Sequence, residues 1–236
     1  MRQLIKSLFA SPANRYFRFG MRYAAKIPSA FARETTVEQA MNYISHCNVA
    51  GAYAEFGVWQ GRTFSAACYH ARELRLKMDF WAFDAFQGLP AAEGHFNAGA
   101  YTSSRALFLR NVKKNVGSVE GVHVVEGWFS DTLKNGNPEV KTLGPIAFAW
   151  VDCDIYESTV PVLEFLTNRL QDGSVLCFDD WYCLKASPAQ GEQKACREWL
   201  LRNPDIQLSE YGKISWHGQA FIVHRHNGVP KNSLCS

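Results

Sequence analysis

The chain has 236 residues, 47% hydrophobic and 20% charged, which suits one globular domain and argues against disorder. No apolar run reaches the roughly 18 residues of a membrane-spanning helix, and a net charge of +3 is too small to point to nucleic acid. The charge is uneven: residues 1–33 hold seven Lys/Arg and no acid, so 25 less seven leaves 18 basic residues against 22 acidic ones elsewhere.

Residues 1–33 therefore form a basic, aromatic arm ahead of a mildly acidic domain at 34–228 and a short tail at 229–236. The arm's readings are a helix packed on the body, an interfacial membrane helix, or a transit peptide; packing is favoured, because aromatic amphipathic stretches are more often buried. Its aromatic residues also make a homo-oligomer an option.

From residue 35 the pattern alternates. A helix over 36–47 precedes a buried strand at 52–58, then a helix over about 63–76 and a strand at 79–84. A long loop follows with Gly88, Pro90, Gly94 and Gly99. A helix near 103–116 leads to a strand at 122–126, another strand spans 146–152, and a helix covers about 158–170. A fifth strand at 173–179, a helix near 189–202 and two strands at about 206–216 and 219–225 complete the chain. His217 and Gly218 mark the closing hairpin. Strands separated by helices predict a doubly wound α/β sheet, mostly parallel, with an antiparallel C-terminal hairpin. Seven scattered cysteines without a C-x-x-C pair read as reduced thiols, which gives a cytoplasmic location and neither a disulfide framework nor a zinc knuckle.

Ligands of open α/β sheets bind beyond the carboxyl ends of the strands, and the acids fall there. Glu55 lies in the first strand. Asp84, Glu126, Asp152 and the Asp179-Asp180 pair end the next four. A single strand-end Asp is commonly a helix cap; five acid-tipped strands on one rim require a cation or donors to offset their repulsion. The first crossover, E-F-G-V-W-Q-G-R-T at 55–63, places Gly57 and Gly61 at a strand-to-helix turn where a backbone can approach a ligand. The dinucleotide and phosphate-loop signatures are absent. Asp84, 23 residues after Gly61, suits ribose hydroxyls. A ribose without a bound phosphate favours S-adenosylmethionine over NAD.

Five blocks, at 54–63, 83–90 (F-D-A-F-Q-G-L-P), 127–133, 151–159 (V-D-C-D-I-Y-E-S-T) and 178–181 (F-D-D-W), resemble the macrocin O-methyltransferase family. The resemblance covers roughly 35–225 and leaves the arm outside. It implies a seven-stranded methyltransferase sheet and an S-adenosylmethionine-dependent O-methyltransferase acting on a hydroxyl of a sugar in a glycan or natural product. It implies that Glu55, Gly57 and Gly61 shape the methionine and ribose pocket. Asp84 would hold the ribose, Phe86 would enter the adenosine pocket, and Ser130 and Asp131 would lie near the adenine. It implies a magnesium ion on Asp152, Asp179 and Asp180. Asp152 and Asp154 are the candidate catalytic carboxylates, with the choice of base open. The block at 156–159 reads as a helix cap, Cys153 as a small core residue, and His123 as core or surface. Residues 85–104 and 182–192 are the expected acceptor-facing segments. The rivals are a metal-dependent glycosyltransferase using Asp152 and Asp154, and a non-catalytic binding protein on the same fold.

Overall fold

A computed structural model describes residues 31–226 except residue 135. The chain order is α1 (Ala32–Cys47), β1 (Ala52–Phe56), α2 (Arg62–Glu73), β2 (Phe80–Asp84), α3 (Arg105–Val116), β3 (Val122–Glu126), α4 (Phe129–Thr132), a 3-10 turn (Pro138–Val140), β4 (Ile146–Val151), α5 (Tyr156–Leu166), β5 (Leu170–Phe178), α6 (Gly191–Arg202), β6 (Ile206–Ile214) and β7 (Gly218–Arg225).

The strands form one seven-stranded sheet in the order β3-β2-β1-β4-β5-β7-β6. β3, β2, β1, β4 and β5 run parallel, and β7 lies antiparallel between β5 and β6. The doubly wound sheet with its antiparallel hairpin is thus as the hydrophobic pattern predicts. Chain order reverses between β1 and β4, which puts the switch point there.

Alternation along the strands feeds two cores. Tyr53, Ala82, Phe148, Trp150 and Cys177 face α1, α2 and α3 through Met41, Ile44, Phe64 and Phe108. Ala54, Phe56, Phe83, Val151 and Phe178 face α5 and α6 through Val162, Leu166, Cys196 and Trp199. Both faces of β1 and β4 are covered, so these strands read as continuous apolar runs.

Several boundaries differ from the sequence reading, three of them with a clear physical cause or consequence. Helix α1 begins at Ala32, so Arg33 belongs to its first turn rather than to the arm. Helix α5 begins at Tyr156 and ends at Leu166; the Tyr156 N–H donates to Glu93 Oε2 at 2.6 Å, a cap supplied from 63 residues away. Strand β5 begins at Leu170 through an irregularity against β4. There Ser174 Oγ accepts from the Gln171 N–H and donates to the Ile146 carbonyl. The rest of the arm and the tail lie outside the described residues.

Candidate active site

A cavity of about 320 Å³ opens at the carboxyl ends of the parallel strands, within the size range of small-molecule sites. The β1–α2 crossover supplies Glu55, Gly57, Val58 and Trp59; the segment after β2 supplies Asp84, Ala85, Gly88, Leu89, Pro90 and Tyr101. Gly127 to Ser130 come from the end of β3, Asp152 to Asp154 from the end of β4, Asp180 from the end of β5, and Arg33 from α1.

Asp84 organises the crossover. Its Oδ2 accepts the N–H groups of Val58 and Trp59 at 2.9 and 2.8 Å, and Oδ1 accepts that of Phe86 at 2.6 Å. A carboxylate offers about four acceptor positions, so one remains open after the three backbone donors. Burial pushes the Asp84 carboxyl up in spite of the three donors. Glu55 is 2% exposed and accepts from the Tyr53 hydroxyl at 2.5 Å. Burial raises its pKa well above the ordinary range, against the effect of that donor.

The two glycines serve the protein's own packing. A Cβ on Gly57 would lie 1.9 Å from the Asp152 carbonyl oxygen, and one on Gly61 would lie 2.8 Å from the Phe108 ring; both residues have positive φ. Gly57 lines the cavity, whereas Gly61 packs behind it. Phe86, at φ 55°, turns into the core against Phe108, so Ala85 lines the cavity in its place. Ser130 lines the cavity; Asp131 is on the surface, paired with Lys134 at 2.8 Å.

In the same cavity, carboxylate oxygens of Asp152, Asp154 and Asp180 lie within 4.8 Å of one another. Asp179 adjoins this group: its fully buried carboxylate takes a two-pronged ion pair from Arg33, and its charge is the first of those that raise Asp152. Of the three metal ligands that the resemblance implies, Asp152 and Asp180 fall in this group. Burial first, and then mutual repulsion, raises Asp152 well above the carboxylate range, Asp154 to about 8 and Asp180 to about 6. Asp154 also holds φ 60°, a strained conformation of the kind found at functional sites. Asp180 Oδ2 is buried without a hydrogen-bond partner. An all-oxygen set of this kind suits a hard divalent cation.

Sequence reasoning did not single out Arg33 and Tyr101, which line the cavity, or Glu93 and Glu192 near it, although Glu93, Tyr101 and Glu192 fall in the segments 85–104 and 182–192 expected to face the acceptor. Glu93 joins three segments, accepting the Tyr156 and Gly191 N–H groups. Glu192 is 2% exposed, beside Asp180. Each looks like an ordinary surface residue in sequence, and only the close return of distant segments reveals its place. His217 does reach the rim, with Nδ1 2.7 Å from the Asp179 carbonyl oxygen. His224 pairs with Ser209 away from it.

The sheet order, the cavity at its switch point and the acid-tipped strands define a methyltransferase of the Rossmann-like class. Solved structures with this fold include the O-methyltransferase NovP, with TM-score 0.69 and 23% identity, covering 82% of this chain and 80% of that one. The calicheamicin methyltransferase CalS11 has TM-score 0.65 and 20% identity, covering 94% and 90%.

The chain belongs to the macrocin-O-methyltransferase (TylF) family, whose model matches residues 29–198. It is similar to the 8-demethyl-8-(2,3-dimethoxy-alpha-L-rhamnosyl)-tetracenomycin-C 4'-O-methyltransferase of Streptomyces olivaceus, 30% identical over 148 residues. That match covers 56% of this chain and 54% of the relative, about half its length. It is also similar to the demethyldecarbamoylnovobiocin O-methyltransferase of Streptomyces niveus, 28% identical over 203 residues, 78% of this chain and 70% of the relative. Membership of an O-methyltransferase family speaks against the glycosyltransferase alternative. Among the described residues no helix is long and apolar enough to cross a membrane.

Proposed function

We propose that the protein transfers the methyl group of S-adenosylmethionine to a hydroxyl of a sugar in a glycosylated small molecule or sugar nucleotide, with a divalent cation, magnesium by its ligand chemistry, beside the acceptor. The observation that carries this reading is that two sets of residues line one cavity. The Glu55–Gly57–Asp84 set suits the cofactor, and the Asp152–Asp154–Asp180 set suits the cation and the acceptor. Names of the relatives, which include rhamnosyl and novobiocin methyltransferases, support a sugar acceptor.

Methyl transfer is an in-line displacement, so the chain's work is alignment, a contribution worth roughly 7–11 kcal/mol. Asp84 fixes the crossover backbone and keeps one acceptor position for the ribose. Trp59 and Tyr101, 45% and 53% exposed with ring centroids 6.3 Å apart, form an aromatic edge to the cavity on which an acceptor ring can rest. Asp152, Asp154 and Asp180 would hold the cation. When bound, the cation lowers the pKa of a nearby hydroxyl. The acceptor oxygen attacks the methyl carbon as the carbon–sulfur bond breaks and S-adenosylhomocysteine leaves, and the Asp152–Asp154 pair would take up the hydroxyl proton.

The test is incubation with methyl-labelled S-adenosylmethionine and a panel of rhamnosides, TDP-rhamnose and phenolic acceptors, with magnesium or with EDTA. Label in a sugar hydroxyl that disappears in EDTA and returns with magnesium is the expected result. Sugar methylation undiminished in EDTA removes the cation, and methylation confined to phenols removes the sugar.

A further inference from the structure

Helices α5 and α6 both start without a cap of their own: neither Ile155 nor Gln190, the residues just before them, makes a side-chain cap. The leading N–H groups of a helix have no intrahelical partner, and here one side chain from the loop between β2 and α3 serves both ends. Glu93 accepts the Tyr156 N–H through Oε2 at 2.6 Å and the Gly191 N–H through Oε1 at 2.9 Å. These residues open α5 and α6, where a negative charge is favoured. Glu93 is fixed in turn by paired backbone bonds with Phe96, both 3.0 Å.

Asp154 stands two residues before Tyr156. The Ile155 N–H donates to the Cys153 carbonyl at 2.6 Å and closes a three-residue turn with Asp154 at its centre, at φ 60°. Turns of this kind are rare and strained, and they persist where the surroundings over-determine them. On the near side, the Asp152 N–H donates to the Phe56 carbonyl at 2.9 Å. On the far side, Ile155 is buried with Phe96 and Leu184, and Glu93 holds Tyr156. Gly191 also lies against the turn: a Cβ there would be 3.7 Å from the Asp154 carbonyl oxygen. Both N–H groups that Glu93 accepts therefore flank Asp154.

We infer that Glu93 is a positioning residue for Asp154. By tying the starts of α5 and α6 to one carboxylate, it holds the turn at 153–155 and keeps the Asp154 side chain beside Asp152 and Asp180. Glu93 lies outside the cavity lining, so it acts through Asp154 and not on the acceptor. This role rests on the reading above in which the Asp152–Asp154 pair takes up the hydroxyl proton. It adds the residue that keeps half of that pair in place, supplied by a loop 61 residues away in sequence.

A double-mutant cycle on the full chain tests this. The readout is kcat and acceptor KM with methyl-labelled S-adenosylmethionine, magnesium, and the rhamnosides and TDP-rhamnose of the panel above, with a thermal melt of each variant. Asp154→Asn, a residue that tolerates positive φ, lowers kcat about 100-fold or more, as loss of a proton acceptor does. Glu93→Ala lowers kcat about 10- to 100-fold, the size expected when a reacting group is displaced. Its affinity for S-adenosylmethionine stays within about threefold, because the cofactor side is untouched. In the Asp154→Asn background, Glu93→Ala changes kcat by less than about twofold, since the group it positions is already gone. Glu93→Gln keeps one acceptor oxygen, so its loss is intermediate and also vanishes in that background; it carries the cycle if Glu93→Ala does not fold. Equal loss of kcat from the Glu93 variants in both backgrounds overturns the inference, as does a rise in acceptor KM at unchanged kcat, which makes Glu93 a loop anchor only. Wild-type kcat in Asp154→Asn overturns the proton-acceptor reading of Asp154 and this role together. Wild type that methylates none of these sugars removes the sugar reading and this role with it, whereas methylation with a failed cycle removes this role alone.

Discussion

Gly57 shows how a single position serves both fold and site. Its φ is 88°, and the Asp152 carbonyl oxygen lies 1.9 Å from where a Cβ would sit, so no side chain fits. The strand pair at the switch point closes there, directly under the cavity. Gly57→Ala should therefore cost about 3 kcal/mol or more, read as a lower urea midpoint without ligand; a stability loss under about 1 kcal/mol contradicts this. Glu55 gives a pH signature. Its pKa is raised in the fold, so the stability it contributes is full below the unfolded carboxylate range and is lost as pH rises through the folded value. Glu55→Gln, which keeps an acceptor for the Tyr53 hydroxyl, removes that loss. Its melting temperature relative to wild type should rise from pH 5 to pH 8, and a pH-independent difference would count against a buried, reluctant acid.

At the scale of elements, the loop between β2 and α3 is held in place by Glu93, which caps α5 and α6 at once through the Tyr156 and Gly191 N–H groups at 2.6 and 2.9 Å. Glu93→Ala should leave the sheet folded and expose residues 88–104 to limited proteolysis. Cleavage no faster than in wild type would show that the loop has other anchors. The strands were legible in the sequence because β1, β4 and the end of β5 are apolar runs long enough to be buried on both faces. Element ends were less legible, since α5 starts where Glu93 arrives from a distant loop. Within the site, the rim acids were legible as strand ends, and the resemblance gave Asp84 and Asp152 their places. Side-chain partners were not: nothing in the sequence shows that Asp179 pairs with Arg33 or that Glu192 accepts the Asp180 N–H. Phe86 likewise follows Asp84 in sequence but turns into the core because its positive φ redirects the chain.

Across the whole molecule, one sheet joins two apolar cores and carries every proposed group at one end. The cofactor side is built on β1 and β2, the acid side on β4 and β5, and Arg33 links both to the start of α1. Deletion of residues 1–30 keeps Arg33 and should leave a folded sheet by circular dichroism but lower acceptor methylation. Full activity in that truncation removes any role of the arm as a cover for the site. In the proposed function this cavity binds S-adenosylmethionine with Asp84 at the ribose. Isothermal titration of the full chain with S-adenosylmethionine, beside NAD as a second ribose-bearing ligand and Asp84→Ala as a site variant, is the decisive measurement. One S-adenosylmethionine bound per chain, no heat with NAD, and at least about tenfold weaker binding in the variant are expected. No binding of S-adenosylmethionine by the folded wild type, or equal affinity in Asp84→Ala, would contradict it.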